Sequence, residues 1–140
     1  MKRHFLGSSM LVCIILLLGA IVVNFSSCKK NSSGLQFTGT YAGTTAIVHT
    51  TGPTNRDTMI ITQGGVADSI FVEQKTTGAI ARATTNGDSI NIPYQQVISN
   101  GYNVIIIGSG SVSGNTLVLN LQELDSLGLN GYYLFTGSRQ

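Results

Sequence analysis

The run 78–85, Gly-Ala-Ile-Ala-Arg-Ala-Thr-Thr, then Asn86-Gly87, then 88–92, Asp-Ser-Ile-Asn-Ile, decides how this chain folds. In an extended strand, side chains alternate, so Ala79, Ala81 and Ala83 share one face while Ile80 and Arg82 share the other. Asn-Gly between two such runs is the strongest short-range sign of a β-hairpin. The same grammar extends outward in both directions. Towards the N-terminus lie Asp68 to Gln74, the turn Gly64-Gly65, Asp57 to Gln63, the turn at Gly52-Pro53, and a Thr-rich run from Phe37 to Thr50 broken by Gly39 and Gly43. Towards the C-terminus, Pro93 interrupts pairing and marks an edge or bend before a further run, Tyr94 to Ser99. Asn100-Gly101 turns the chain into Tyr102 to Ser113, and Gly114-Asn115 turns it again into Thr116 to Gln122, whose leucines 117, 119 and 121 share a face. Residues 123–130 form a loop or single helical turn, and Gly131 to Ser138 is the last strand.

Short strands, regular turns and no stretch of helical period predict an all-β fold. It is an antiparallel meander of about eight strands closing into a small barrel, with a β-sandwich as the competing arrangement.

The first 30 residues are different in kind. Lys2 and Arg3 precede an uncharged apolar run, Met10 to Val23, which ends in small residues before Cys28. That is the layout of a helical secretory signal. A transmembrane helix needs about 20 apolar residues, and this run is shorter; an unlipidated secretory signal also fits the Ser26-Ser27 pair. Phe25-Ser26-Ser27-Cys28 resembles the lipobox of bacterial lipoproteins, with Phe25 where leucine is usual. The resemblance implies lipidation of Cys28 and three segments: signal peptide 1–27, lipidated cysteine and tether 28–35, β domain 36–140. It also accounts for the only cysteine outside the apolar run. Lys29 stands where an aspartate marks inner-membrane retention in enteric bacteria, which by that resemblance implies the outer membrane of a Gram-negative envelope.

Removal of the signal changes the charge balance. The chain has eight Lys and Arg against six Asp and Glu, but two of the cations are Lys2 and Arg3, so the remainder is formally neutral. Nothing builds the positive footprint that nucleic acid requires. With Cys13 in the signal and Cys28 lipidated, the β domain has no thiol, and His49 is its one histidine. A Cys- or His-based metal cluster therefore has no ligands, and neither a metal nor any other cofactor is expected.

The segments Gly39 to Thr44, Ser109 to Leu117 and Tyr133 to Gly137 resemble small lipocalin-like lipoproteins of Bacteroidota. That resemblance implies a barrel at the envelope and brings no catalytic residue with it. The residues themselves point the same way. Glu123 and Asp125 are spaced as paired carboxylates could be, but they stand where leucine alternation gives way to Ser126 and Gly128, as in a solvated loop. There is no G-x-S-x-G elbow, and Gly108-Ser109-Gly110 precedes a strand rather than the helix N-terminus a phosphate site needs. No catalytic residue is assigned, and the chain reads as a non-enzyme.

The alanine row at 79, 81 and 83 leaves room inside a barrel for a ligand, or else packs beneath Tyr133 or Phe135, or faces solvent. For a small hydrophobic ligand, the polar-tipped candidates are Tyr41, Arg82, Tyr94 and Tyr102. Asp-Ser/Thr-apolar triplets at Asp57, Asp68, Asp88 and Asp125 resemble the O-glycosylation sequon of exported Bacteroidota proteins, with Ser69 and Ser89 as acceptors. A turn-ending aspartate before a strand writes the same triplet. The expected function is ligand binding by a membrane-anchored envelope protein; the alternative is a structural or assembly role, holding another envelope protein on a barrel face or sheet edge.

Overall fold

The computed structural model describes residues 33–48, 54–124 and 130–140, all within the unit Ser32–Gln140. A 3-10 helix, Ser33–Phe37, precedes eight strands: β1 Gly39–Ile47, β2 Asn55–Gln63, β3 Ser69–Gln74, β4 Ala79–Asn86, β5 Ser89–Ser99, β6 Tyr102–Ser113, β7 Thr116–Leu124 and β8 Asn130–Arg139. Each strand pairs antiparallel with its sequence neighbours, and β8 pairs with β1, closing a barrel rather than a sandwich. Among these residues no helix is long and apolar enough to cross a membrane.

The turns follow the glycines. Asn100 and Gly101 both take positive φ, 51° and 83°, as a two-residue type I′ hairpin demands. At the opening hairpin the turn sits one residue later than Asn86-Gly87 suggests. Asn86 pairs with Ser89, so the loop is Gly87-Asp88, with Gly87 at φ 58° in the first position where glycine is favoured.

Pro93 does not end its strand. It sits in a bulge between Ile92 and Gln95, and β5 continues to Ser99, so one bent strand replaces the two short ones read from the sequence. On the β4 side of the bulge, Gln95 substitutes its own amide for the ladder. Its Oε1 accepts from the Arg82 N–H at 3.0 Å, and its Nε2 donates to the Arg82 carbonyl at 2.7 Å.

Inward side chains are graded in size along the barrel axis. At one end Phe37, Tyr41, Met59, Ile61, Ile70 and Phe135 are fully enclosed. That end is shut by the 3-10 helix: the Gly34 N–H donates to the Ala67 carbonyl, and Gln36 Nε2 donates to the Gly87 carbonyl at 2.7 Å. Towards the other end the inward positions hold Ala79, Ala81, Thr45 and Ser99. Small side chains against one another cannot fill a barrel cross-section, so space remains there. In the wall between, inward-facing Gly108 and Gly110 of β6 stand opposite Leu121 and Leu119 of β7. A Cβ on Gly108 would lie 2.8 Å from Leu121 Cδ2, so the leucines occupy what a β6 side chain would have taken.

Candidate functional site

The space at the small-residue end is a cavity of about 420 Å³, lined at its outer end by Ile47 of β1, Asn55 of β2, Thr76 and Thr77 after β3, Asn100 after β5 and Glu123 of β7. Its floor is apolar: Val72, Ala79, Ala81, Ile92, Ile106 and Leu121. Its rim is polar and includes Thr45, Asp57, Gln74, Ser99, Glu123 and Tyr133. Apolar walls with a few placed polar groups are the ordinary constitution of a small-molecule site, and the volume is in the ordinary range.

Asp57 organises the rim. It begins the inward row Asp57, Met59, Ile61 of β2 and is 6 % exposed. Its Oδ2 accepts from Thr45 Oγ1 at 2.9 Å and from Gln74 Nε2 at 2.6 Å. Its Oδ1 accepts from Thr76 Oγ1 at 2.8 Å and from the Thr58 N–H at 2.7 Å. One carboxylate thus ties β1, β2, β3 and the β3–β4 turn. Burial pushes its pKa up, but the hydrogen bonds from Gln74, Thr76, Thr58 and Thr45 together outweigh burial and hold the carboxyl below its ordinary value. Across the rim, burial raises the Tyr133 hydroxyl pKa, and the nearby charge of Glu123 raises it further.

Glu123 is not in a loop. β7 runs on to Leu124, so Leu117, Leu119, Leu121 and Glu123 form one inward row whose last member lines the cavity. The alternation already present in the sequence carries that signal two residues beyond where the loop was expected to begin. Asp125 lies outside the described residues, as do His49 and Cys28. Asp57 has a similar signal, a carboxylate at the head of an apolar alternating row.

The alanine row does face inward, with Ala79, Ala81 and Ala83 all buried, and two of the three line the cavity. The four polar-tipped candidates are not brought together there. Tyr41 is fully buried at the closed end, where its hydroxyl donates to the Phe37 carbonyl at 2.9 Å and accepts from Arg139 Nη2 at 2.5 Å. Arg82 lies on the outer wall, 5.9 Å above the Phe71 ring. Tyr94 is 67 % exposed outside the bulge, and Tyr102 is 75 % exposed beside the β5–β6 turn. Of the two glycosylation candidates, Ser89 is exposed at the start of β5, and Ser69 is half-buried under Gly64. Among the described residues no group of three or more His, Cys, Asp or Glu is placed to hold a metal.

Comparison with known proteins adds one likeness. No family model matches the chain, and no curated protein does. The chain is similar to the crystal structure of a protein of unknown function from the DUF3598 family of Nostoc punctiforme, at 12 % identity and a TM-score of 0.48. The match covers 76 % of this chain and 48 % of that one, so this chain spans about half its length.

Proposed function

We propose that this protein is a lipid-anchored envelope protein whose barrel holds a small hydrophobic ligand in the mouth cavity. The observation that carries the ligand reading is the cavity itself, about 420 Å³ with an apolar floor and a hydrogen-bonding rim. The anchor reading rests on the signal-like segment that ends at Cys28. Only Lys29 to Ser32 separate Cys28 from the 3-10 helix, a reach on the order of 17 Å at full extension.

Decanol titrated into the membrane-anchored protein in lipid nanodiscs is expected to bind once per chain, with empty nanodiscs as the reference. Ala81→Phe puts a ring into the cavity and is expected to weaken that binding at least about tenfold, with the far-ultraviolet circular dichroism unchanged. Equal binding by wild type and variant would rule the cavity out as the site. For the anchor, Cys28→Ala is expected to move the protein from the membrane fraction to the soluble fraction, because two or more acyl chains hold firmly where none does. Retention of the variant on membranes would end the lipoprotein reading.

The assembly alternative is favoured by a different observation. Ile80, Tyr94 and Ile98 are exposed by 55 %, 67 % and 63 % on the outer wall of β4 and β5, around the bulge. Purification of the native protein with one stoichiometric partner and an empty cavity would support it over ligand binding.

A further inference from the structure

We infer that the barrel wall holds a side port to the cavity between β4 and β5, latched by the Gln95 amide, and that an apolar ligand enters and leaves by it. This rests on the ligand-binding reading and adds the ligand's route. The β4–β5 ladder stops short: it pairs Asn86 with Ser89, Thr85 with Ile90 and Thr84 with Asn91, and ends there. From Ala79 to Ala83, β4 keeps its register with β3 but has no ladder partner on β5. From Gln95 to Ser99, β5 keeps its register with β6. Each bank of the seam is therefore held from behind. In an antiparallel strand, successive N–H groups point to opposite neighbours. Asn91 faces β4 through its pair with Thr84, so the next nitrogen to face β4 is that of Pro93, which carries no hydrogen. The extra residue of the bulge then carries the rest of β5 out of register.

Gln95 crosses the seam. Its amide accepts from the Arg82 N–H and donates to the Arg82 carbonyl, and Nε2 also reaches the Pro93 carbonyl at 3.1 Å. Further along, the Asn100 N–H donates to the Thr77 carbonyl at 2.8 Å, where the connections beyond the two strands meet. A side chain with rotors of its own thus stands in for backbone, and its bonds lie at the exposed surface, where water replaces them with little net loss. Behind the latch lies the cavity floor: Ala79 and Ala81 on one bank, Ile92 on the other. The core divides at the same place. Ala81, Ala83 and Ile92 belong to the main cluster, Ala79 and Val97 to a smaller one, and Ile106 packs against both. Outside, exposed Ile80, Tyr94 and Ile98 flank the seam, while Arg82 is turned away over the Phe71 ring of β3. An apolar chain therefore meets apolar groups on both sides of the latch. At the mouth it would have to pass Thr45, Asp57, Gln74 and Ser99 and disturb their hydration or hydrogen bonds.

The test follows decanol with an isotope-labelled methyl group, by NMR exchange, into and out of the membrane-anchored protein in lipid nanodiscs. Gln95→Ala is expected to raise the rates of entry and exit alike, each at least about fivefold, and to leave the dissociation constant within about twofold. A latch sets the barrier, and Gln95 is not among the described residues that line the cavity. The unliganded wild type carries an independent sign. The Arg82 amide, held by the Gln95 side chain, is expected to exchange its hydrogen at least about tenfold faster than that of Thr84, which faces the same neighbour from within the ladder. If decanol binds and the variant's rates equal the wild type's, the port is overturned and the cavity reading stands. If decanol does not bind, the cavity reading falls and takes the port with it. Should the variant fail to fold, the wild-type amides decide: equal protection of Arg82 and Thr84 overturns the latch.

Discussion

Asp57→Ala is expected to lower the unfolding free energy by about 3 kcal/mol or more, seen as a drop in the urea midpoint at neutral pH. The substitution removes a charged acceptor from four donors at once and leaves Gln74, Thr45 and Thr76 with polar groups facing a hole. Relief from burying the charge offsets only part of that loss, since the carboxyl is held below its ordinary pKa and the charged form is the favoured one. Asp57→Asn is expected to cost less, because the threonine hydroxyls rotate and the Gln74 amide can turn to meet its N–H groups. The two variants differ from wild type in pH dependence as well. The folded-state pKa lies below the ordinary aspartate value of 3.8, so above that value both folded and unfolded forms are ionised and the contribution is complete. As pH falls below 3.8 the unfolded chain takes up its proton first, and the stabilisation is lost on the way down to the folded pKa. Wild type should therefore lose stability relative to Asp57→Asn across that acid window. A difference between the two that stays constant from neutral pH down to pH 2 would show that Asp57 is not the group responsible.

Gly43→Ala is expected to destabilise the barrel by about 3 kcal/mol or more, through a different mechanism. Gly43 of β1 pairs directly with Gly137 of β8, at the seam where the sheet closes on itself. A Cβ at Gly43 would run into the Thr136 carbonyl oxygen and the Gly137 Cα, both backbone atoms with no rotamer to escape into. The seam strands would have to separate, and their ladder with them. For a domain of this size, that loss corresponds to a fall in melting temperature of roughly 10–20 °C. Gly65→Ala is the matching control: nothing lies within 4 Å of a Cβ there, so the change should stay within about 0.5 kcal/mol. Similar melting temperatures for the two variants would show that the seam tolerates a side chain.

These two residues mark how far sequence reading reaches. Strand periodicity and turn chemistry are local, so the Asn100-Gly101 hairpin and the inward alanine row of β4 are legible from residues alone. The pairing of Gly43 with Gly137 joins residues 94 positions apart and exists only because the barrel closes. The rim carboxylates lie between these extremes. Each ends or begins an alternating apolar row, but a period of two says which face a residue shares and not how far along the axis it falls. Only the register across eight strands puts Asp57 and Glu123 at the same mouth, and Tyr41 at the opposite end.

The tyrosine candidates show the same division most sharply. Without a bulge, the inward row Ile90, Ile92 would continue through Tyr94 and Ile98. The extra residue at Pro93–Tyr94 shifts the parity, so Val97 and Ser99 turn inward while Tyr94 and Ile98 face out. The amino-acid sequence by itself determined an all-β chain of about eight strands, its hairpin turns, and one row of side chains too small to fill a core. The tertiary structure decided between barrel and sandwich, which end is plugged, and which charges share the cavity. Those outcomes depend on register and closure between residues far apart in the chain, and no local pattern encodes them.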